Sequence, residues 1–449
     1  MTVLLLSTYD LGRQPFGLAS PAAWLERAGH RVITRDLSRD KFADADAQSA
    51  QLIAFYLPMH TATRLAVGLI ARVRAANPAA TLVAYGLYAP LSESVLREHG
   101  VDQVLGPEAE ADLVTLADSL ALGARATATS HPRTDETVAI PRLAFITPSR
   151  AALPSLDRYA TLQMPDGTRR ITGATDATRG CKHRCRHCPI VPIYDGQFRV
   201  VPVDIVLADV AQQVAAGAQH ITFGDPDFFN GPTHARRIIE SLHARHPDVT
   251  YDVTIKIEHL LGHRDLLPVL AATGCLFVIS AVEAVDDEIL AKFEKRHTRA
   301  DVLTAASLCR AAGVILCPTF VAFTPWTTLA RYADLLDTVE SLDLVEHVAP
   351  VQWGLRLLVT QGSRLLELDD IRRVVQPFDR GSLTYPWVHS DPRVDALQQA
   401  IMRLVGVKMT RPRAEVFDGV RQLMGHQKAA TAPIRATATV PYLNEPWYC

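Results

Sequence analysis

Arg179-Gly180-Cys181-Lys182-His183-Arg184-Cys185-Arg186-His187-Cys188-Pro189 sets three thiols at the spacing Cys-x3-Cys-x2-Cys. Three of the chain's seven cysteines thus fall within eight residues. An odd number of thiols this close together is a poor disulfide framework and a good soft-metal site. Iron–sulfur clusters are held by such thiolates. With three protein ligands and no obvious fourth, one corner of a four-iron cluster would stay open to an exogenous ligand. The loop also carries His183 and His187, and two or three cysteines with one or two histidines could hold zinc instead. Zinc knuckles bring their ligands in two separated pairs, whereas every candidate here crowds one loop, which favours the cluster.

Around this loop, from about 166 to 360, strand and helix patterns alternate six times. Strands are expected near Arg169–Gly173, at Gln219–Phe223, Thr250–Ile257, Cys275–Ser280 and Val314–Phe323, and around His347–Leu358. The second delivers Gly224-Asp225-Pro226-Asp227 to the rim. The third places Asp252, Thr254, Lys256 and Glu258 on one polar face. The fourth runs on as Ser280-Ala281-Val282-Glu283-Ala284, followed by Glu294-Lys295-Arg296-His297-Thr298, where Thr298 reads as a helix N-cap. Trp353 and Cys317 could line the cavity, with core packing the plainer reading for Trp353. Cys275 and Cys309 read as small packed hydrophobes.

The cysteine spacing and the Ser280–Glu283 block together resemble the radical S-adenosylmethionine (SAM) enzymes. That resemblance implies a partial (β/α)6 barrel, a [4Fe–4S] cluster on Cys181, Cys185 and Cys188, SAM chelated at its open iron, and reductive cleavage of a SAM carbon–sulfur bond. It gives His187 the usually aromatic place near the adenine. Where the family reads Gly-Gly-Glu to receive the methionine ammonium, Gly224 keeps the close approach and Asp225 or Asp227 supplies the acceptor. Ser280 and Glu283 are the implied contacts to the ribose and carboxylate region. A small-molecule or peptide substrate and an electron donor such as flavodoxin or ferredoxin belong to the same expectation.

Residues 1–120 carry the pattern of a doubly wound parallel sheet, with strands at Val3–Ser7, Arg31–Thr34, Leu52–Tyr56, Thr81–Tyr85 and Gln103–Leu105. Ser20 reads as an N-cap, Pro21 as the first helical residue and Gly29 as the stop. Ligands of such sheets sit at the strand ends, here Thr8–Gly12, Leu57–His60 and Gly86–Ala89. Placed before the barrel, this unit resembles the cobalamin-binding domain of one radical SAM subgroup. Its usual Asp-x-His-x-x-Gly loop reads Asp10-Leu11-Gly12-Arg13-Gln14-Pro15 here, without the histidine. Cobalamin and cobalamin-assisted methyl transfer are therefore one expectation, and a sheet with a structural or partner-binding role the other. His60 is a substitute ligand to weigh.

Residues 121–165 read as a connector, 166–363 as the barrel, and 364–449 as a small helical region with a tail ending Asn444-Glu445-Pro446-Trp447-Tyr448-Cys449. That ending resembles a radical SAM subgroup whose tail reads Cys, then Cys or selenocysteine, then Ala-Glu-Pro. Cys449 would be its first tail residue and a candidate for the active site, with selenocysteine encoded next. Net charge of −2 and 48% apolar residues describe an ordinary soluble composition, with no basic run for nucleic acid and no apolar run long enough for a membrane. Clustered thiols and the absence of a basic leader point to the cytoplasm. The non-enzymatic alternative is a zinc-stabilised adaptor whose two α/β domains bind a partner.

Overall fold

The computed structural model describes residues 1–123, 140, 143–408, 411–425 and 440–445. The first sheet holds β1 (Thr2–Ser7), β2 (Arg31–Asp36), β3 (Leu52–Tyr56), β4 (Thr81–Tyr85) and β5 (Gln103–Val104), all parallel, in the order β2-β1-β3-β4-β5. Leu4, Leu6, Ile53 and Phe55 bury into one face, Val3, Leu5, Leu52 and Ala54 into the other. A strand covered on both faces has no polar side to show, which is why β1 reads as an unbroken apolar run. The order reverses between β1 and β3, so the loops at Thr8–Gly12 and Leu57–His60 flank the point where such sheets bind ligands.

The first helix differs from expectation. It spans Phe16–Arg27, starting after Pro15, so Ser20 and Pro21 lie inside it. Proline in a helix interior strips a hydrogen bond from the carbonyl four residues back. Here that carbonyl, on Gly17, accepts instead from the Tyr85 hydroxyl at 2.6 Å, and Ser20 Oγ donates to Glu110 Oε1 at 2.6 Å. Gly29 ends the segment with φ +86°, as the sequence predicts.

The second sheet comprises β6 (Thr161–Gln163), β7 (Arg169–Thr175), β10 (His220–Phe223), β11 (Thr250–Thr254), β12 (Cys275–Glu283), β13 (Ile315–Phe320) and β14 (Tyr442–Leu443); a separate hairpin pairs β8 (Thr178–Gly180) with β9 (Phe198–Val200). Its order is β13-β12-β11-β10-β7-β6-β14, with β7 and β10 to β13 parallel. Helices between the strands close one side, giving a half-barrel. β11 stops at Thr254, because Ile257, Leu260 and Leu261 fall at helical spacing and a helix runs over Ile257–Gly262. Lys256 and Glu258 therefore do not continue the strand face. The sixth strand reduces to one bridge between Phe323 and Arg356. Pro350 opens a 3-10 turn over Pro350–Gly354 instead, and Trp353 buries fully, its ring 5.1 Å from Phe417. It belongs to the core.

One buried junction joins the parts. Arg150, from the connector, donates to Asp209 Oδ1 at 2.6 Å and Oδ2 at 2.8 Å, to Gln14 Oε1 at 2.8 Å and to the Ala174 carbonyl at 2.7 Å. At the C-terminal end, β14 pairs antiparallel with β6, placing Leu443 and Glu445 beside the barrel interior. Cys449 lies outside the described residues. No helix among the described residues is long and apolar enough to cross a membrane.

Candidate active site

β7 leads into Asp176-Ala177, and the β8–β9 hairpin carries the cysteine loop between its strands. Gly180 is required at the neck: its φ is +77°, and a Cβ there would meet the Tyr194 ring at 2.4 Å and the Gln197 carbonyl at 2.6 Å. Just before it, Arg179 pairs with Glu108 at 3.1 Å and Glu110 at 2.8 Å, so the loop is moored to the first sheet's domain. Asn230 fixes the other side: its Oδ1 accepts from the Lys182 amide at 3.2 Å and its Nδ2 donates to the Gly180 carbonyl at 3.3 Å.

Cys181 and Cys185 are buried and Cys188 partly so. Burial pushes the Cys181 thiol up to about 11 and that of Cys188 up to about 12. Sulfurs in such a place ionise only when something cationic joins them. Lys256 supplies part of that charge, its Nζ donating to Cys185 Sγ at 3.7 Å. Among the described residues the three sulfurs do not all lie within 4.8 Å of one another. Zinc at 2.3 Å from each sulfur would bring tetrahedral sulfurs to about 3.8 Å apart. Among the described residues, the only three His, Cys, Asp or Glu ligand atoms within 4.8 Å of one another belong to His183, Asp227 and His259. The cysteine triad thus fits a cluster better than a mononuclear zinc, and neither loop histidine joins it.

His187 faces Glu283 instead, Nε2 to Oε1 at 3.0 Å, with its ring 4.5 Å from Phe293. Lys295 Nζ reaches the same oxygen at 3.4 Å. Burial would raise the Glu283 carboxyl, but Lys295 and His187 outweigh it and hold it near 2. Both contacts fall on Oε1, which leaves Oε2 to accept from a ligand. Glu283 sits at φ +69°, a costly conformation for a residue with a Cβ and one that proteins keep at working sites. Ser280 is fully buried and its Oγ has no partner.

The aspartates are more heavily engaged than the sequence suggests. Asp225 accepts from the Ala177 amide at 2.9 Å and Thr178 Oγ1 at 2.5 Å, bracing the approach to β8. Asp227 accepts from the Phe229 amide at 3.2 Å and turns its other oxygen to two histidines. Gly224 does take a close approach, but from Asp176 Oδ1 and Arg13 Nη1, which stand 2.5 and 3.0 Å from where its Cβ would be.

Two hollows flank this rim. The larger, about 240 Å³, lies between the first sheet and the cysteine loop and is lined by Asp10, Arg13, Tyr56, Tyr85, Asp176 and Arg179 among others. It meets the three strand-end loops expected for a ligand. The second, about 200 Å³, is the barrel interior, where Thr222, Asp225, Asp252, Thr254, Leu443 and Glu445 contribute. Its polar strip is anchored by Asp252, which accepts from His220 at 2.9 Å and Thr222 at 2.7 Å. His60 faces neither hollow; its Nε2 lies 2.6 Å from the Ser382 carbonyl. Sequence reasoning missed Arg179, Asn230, Asp176, His259 and the role of Lys295. Only Lys295 had a local signal, the Lys-Arg-His-Thr run.

Burial pushes the Asp10 carboxyl up to about 7, with Arg13 opposing and Asp176 adding to it. A carboxyl raised on folding stabilises most below its unfolded value near 3.8, and that stability is lost as pH rises through about 7. Asp10→Asn mimics the protonated form. Its melting temperature relative to the parent should therefore rise between pH 5 and pH 8, measured by calorimetry; a constant difference would place Asp10 among ordinary carboxylates.

Residues 176–342 match the Radical SAM superfamily model. The hopanoid C-3 methylase of Methylococcus capsulatus is 23% identical over 340 residues, 72% of this chain and 64% of the methylase. A tRNA-2-methylthio-N(6)-dimethylallyladenosine synthase of Sorangium cellulosum is 30% identical over 161 residues, 35% of this chain and 29% of the synthase. Among solved structures, the cobalamin-dependent SAM radical enzyme OxsB, with aqua-cobalamin and SAM bound, aligns at a TM-score of 0.70 and 14% identity, over 94% of this chain and 71% of that one. The radical SAM methyltransferase TsrM from Kitasatospora setae, with tryptophan and a SAM analogue bound, aligns at 0.61 and 17% identity, over 76% and 71%. At these identities the structural likeness is one of fold. Across residues 176–342 the chain therefore carries a radical SAM domain.

Proposed function

We propose that the protein uses Cys181, Cys185 and Cys188 to hold a [4Fe–4S] cluster at which SAM is reductively cleaved, and that it modifies a small-molecule or peptide substrate in the adjoining hollows. The observation that carries this reading is the triad itself: three thiols at Cys-x3-Cys-x2-Cys, two buried and one partly so, not all within 4.8 Å of one another, inside the matched domain. When bound, such a cluster supplies the electron that splits a carbon–sulfur bond of SAM.

The chain's own residues prepare that place. Lys256 offsets thiolate charge at Cys185, Asn230 and Gly180 fix the loop's neck, and Phe293 backs His187. Glu283 Oε2 and Ser280 Oγ offer two hydrogen-bonding positions suited to ribose hydroxyls. Asp225 already accepts two hydrogen bonds and Asp227 Oδ2 is turned to two histidines, so Asp176 or a backbone carbonyl would be the freer acceptor for the ammonium. Balanced overall charge favours a substrate other than nucleic acid. An electron carrier such as flavodoxin or ferredoxin would serve as reductant in a cytoplasmic setting.

Cobalamin-assisted methyl transfer is the second reading, favoured by the position of the larger hollow between strand ends and cysteine loop. Its 240 Å³ does not fit a corrin with Arg13, Tyr56 and Tyr85 where they stand, since even drug-sized ligands take roughly 300–1,000 Å³. Anaerobic purification tests both readings. Brown protein that turns SAM into 5′-deoxyadenosine under reduction is expected; a colourless chain with zinc on its thiols would instead favour the adaptor. Equimolar corrinoid in the same preparation decides for methyl transfer, and its absence after growth with cobalamin decides against.

A further inference from the structure

His183, Asp227 and His259 come from three separate elements: the cysteine loop, the turn after β10 and the helix Ile257–Gly262. All three are buried. His183 Nε2 lies 3.2 Å from Asp227 Oδ2, and His259 Nδ1 lies 2.6 Å from the same oxygen. The distances suit hydrogen bonds, but the angles do not: none of these three atoms has a hydrogen-bond partner. Orphaned buried nitrogens and oxygens cost free energy, and three orphans facing one another cost it together. Their arrangement makes sense when they converge on a cation rather than on each other. The two ring centroids stand 4.7 Å apart, so both imidazoles present to the same carboxylate oxygen.

The surroundings match such a site. His183 Nδ1, the ring's other nitrogen, faces Glu258 Oε2 at 3.5 Å, the carboxylate that commonly orients a ligating imidazole. Two imidazoles and a carboxylate are a three-ligand zinc set, with bond lengths near 2.0–2.1 Å and a fourth position for water. Ligand atoms so placed stand about 3.3 Å apart in a tetrahedron; the His183–Asp227 separation already does, and the His259–Asp227 one would widen. The sulfurs are excluded by their spacing.

We infer that His183 Nε2, Asp227 Oδ2 and His259 Nδ1 bind one zinc ion, separate from any group on the cysteines, tying the cysteine loop to β10 and to the helix that carries Lys256 at its start. This inference stands without the cluster. Its test uses the full chain in two forms. In the first, Cys181, Cys185 and Cys188 are all replaced by alanine, and the folded protein is titrated with zinc chloride against a chelator. About one equivalent is expected. His259→Gln and Asp227→Asn in that background should weaken binding by on the order of 100-fold or more, beyond what loss of a supporting group costs. In the second form, the unsubstituted chain, zinc-edge absorption should show nitrogen and oxygen neighbours only. A sulfur shell near 2.3 Å, or no zinc in the folded triple-alanine chain, would overturn the assignment. Iron counted separately reports on the cluster, so either idea can fail alone.

Discussion

Cys185→Ala is expected to give folded, colourless protein that no longer cleaves SAM. Cys185 is the middle thiol of the three and is buried, with Lys256 Nζ at 3.7 Å. Alanine removes one sulfur and leaves the lysine a second partner, Glu258 Oε2 at 3.6 Å, so the fold loses little. The cluster loses far more, because two thiolates cannot hold four irons in place. The size of the loss separates a ligand from a supporting group. Support costs roughly 10–100-fold; a ligand should cost more, with iron content falling alongside. Iron retained at the parent level, or activity above about a hundredth of it, would sink the assignment. Cys309→Ala is the control. That thiol is buried among apolar neighbours on the helix Arg299–Ala311, pushed up to about 12 by burial alone, and its loss should leave the iron unchanged.

What could be read in advance follows from the range of the interaction. β1, β3 and β4 are legible because strands buried on both faces become apolar runs. The cysteine loop is legible because its ligands are neighbours in sequence. Thr298 is legible too, as the capping box with Asp301 is a three-residue affair. The first helix's start is misread because Ser20-Pro21 is a strong local signal, and the Tyr85 hydroxyl, from a strand 68 residues beyond Gly17, makes an internal proline tolerable. Lys256 and Glu258 are misread because the alternation expected over Thr250–Ile257 gives way after Thr254 to helical spacing. The pairings that define the site escape for the same reason. Arg179 meets Glu108, His187 meets Glu283 and Asp227 meets His259 only after the sheets form, and no spacing announces them. A charged residue in the sequence looks the same whether it ends in solvent or in a buried pair.

Arg150→Met is expected to cost about 3–5 kcal/mol, more than any surface charge in the chain. The guanidinium is 5% exposed and its carboxylate partner, Asp209, 1%. Each is held further: Arg150 by Gln14 and the Ala174 carbonyl, Asp209 by Thr175 Oγ1 at 2.7 Å. Methionine keeps most of the volume, so the loss is electrostatic: Asp209 is left as a buried charge with only neutral donors. Because Gln14 belongs to the first domain and Asp209 to the barrel, the substitution also loosens their union, and denaturant unfolding should split into two transitions where the parent shows them merged. Replacing both partners, Arg150→Met with Asp209→Leu, removes the stranded charge. Exchanging a buried ion pair for apolar groups is often neutral, but here Gln14, Thr175 and the Ala174 carbonyl also lose partners, at about 1–3 kcal/mol for each one left unpaired. The double variant should therefore recover part of the loss and no more. A single variant within about 1 kcal/mol of the parent would show that water reaches Asp209 and that the junction is not the dry tie its burial describes.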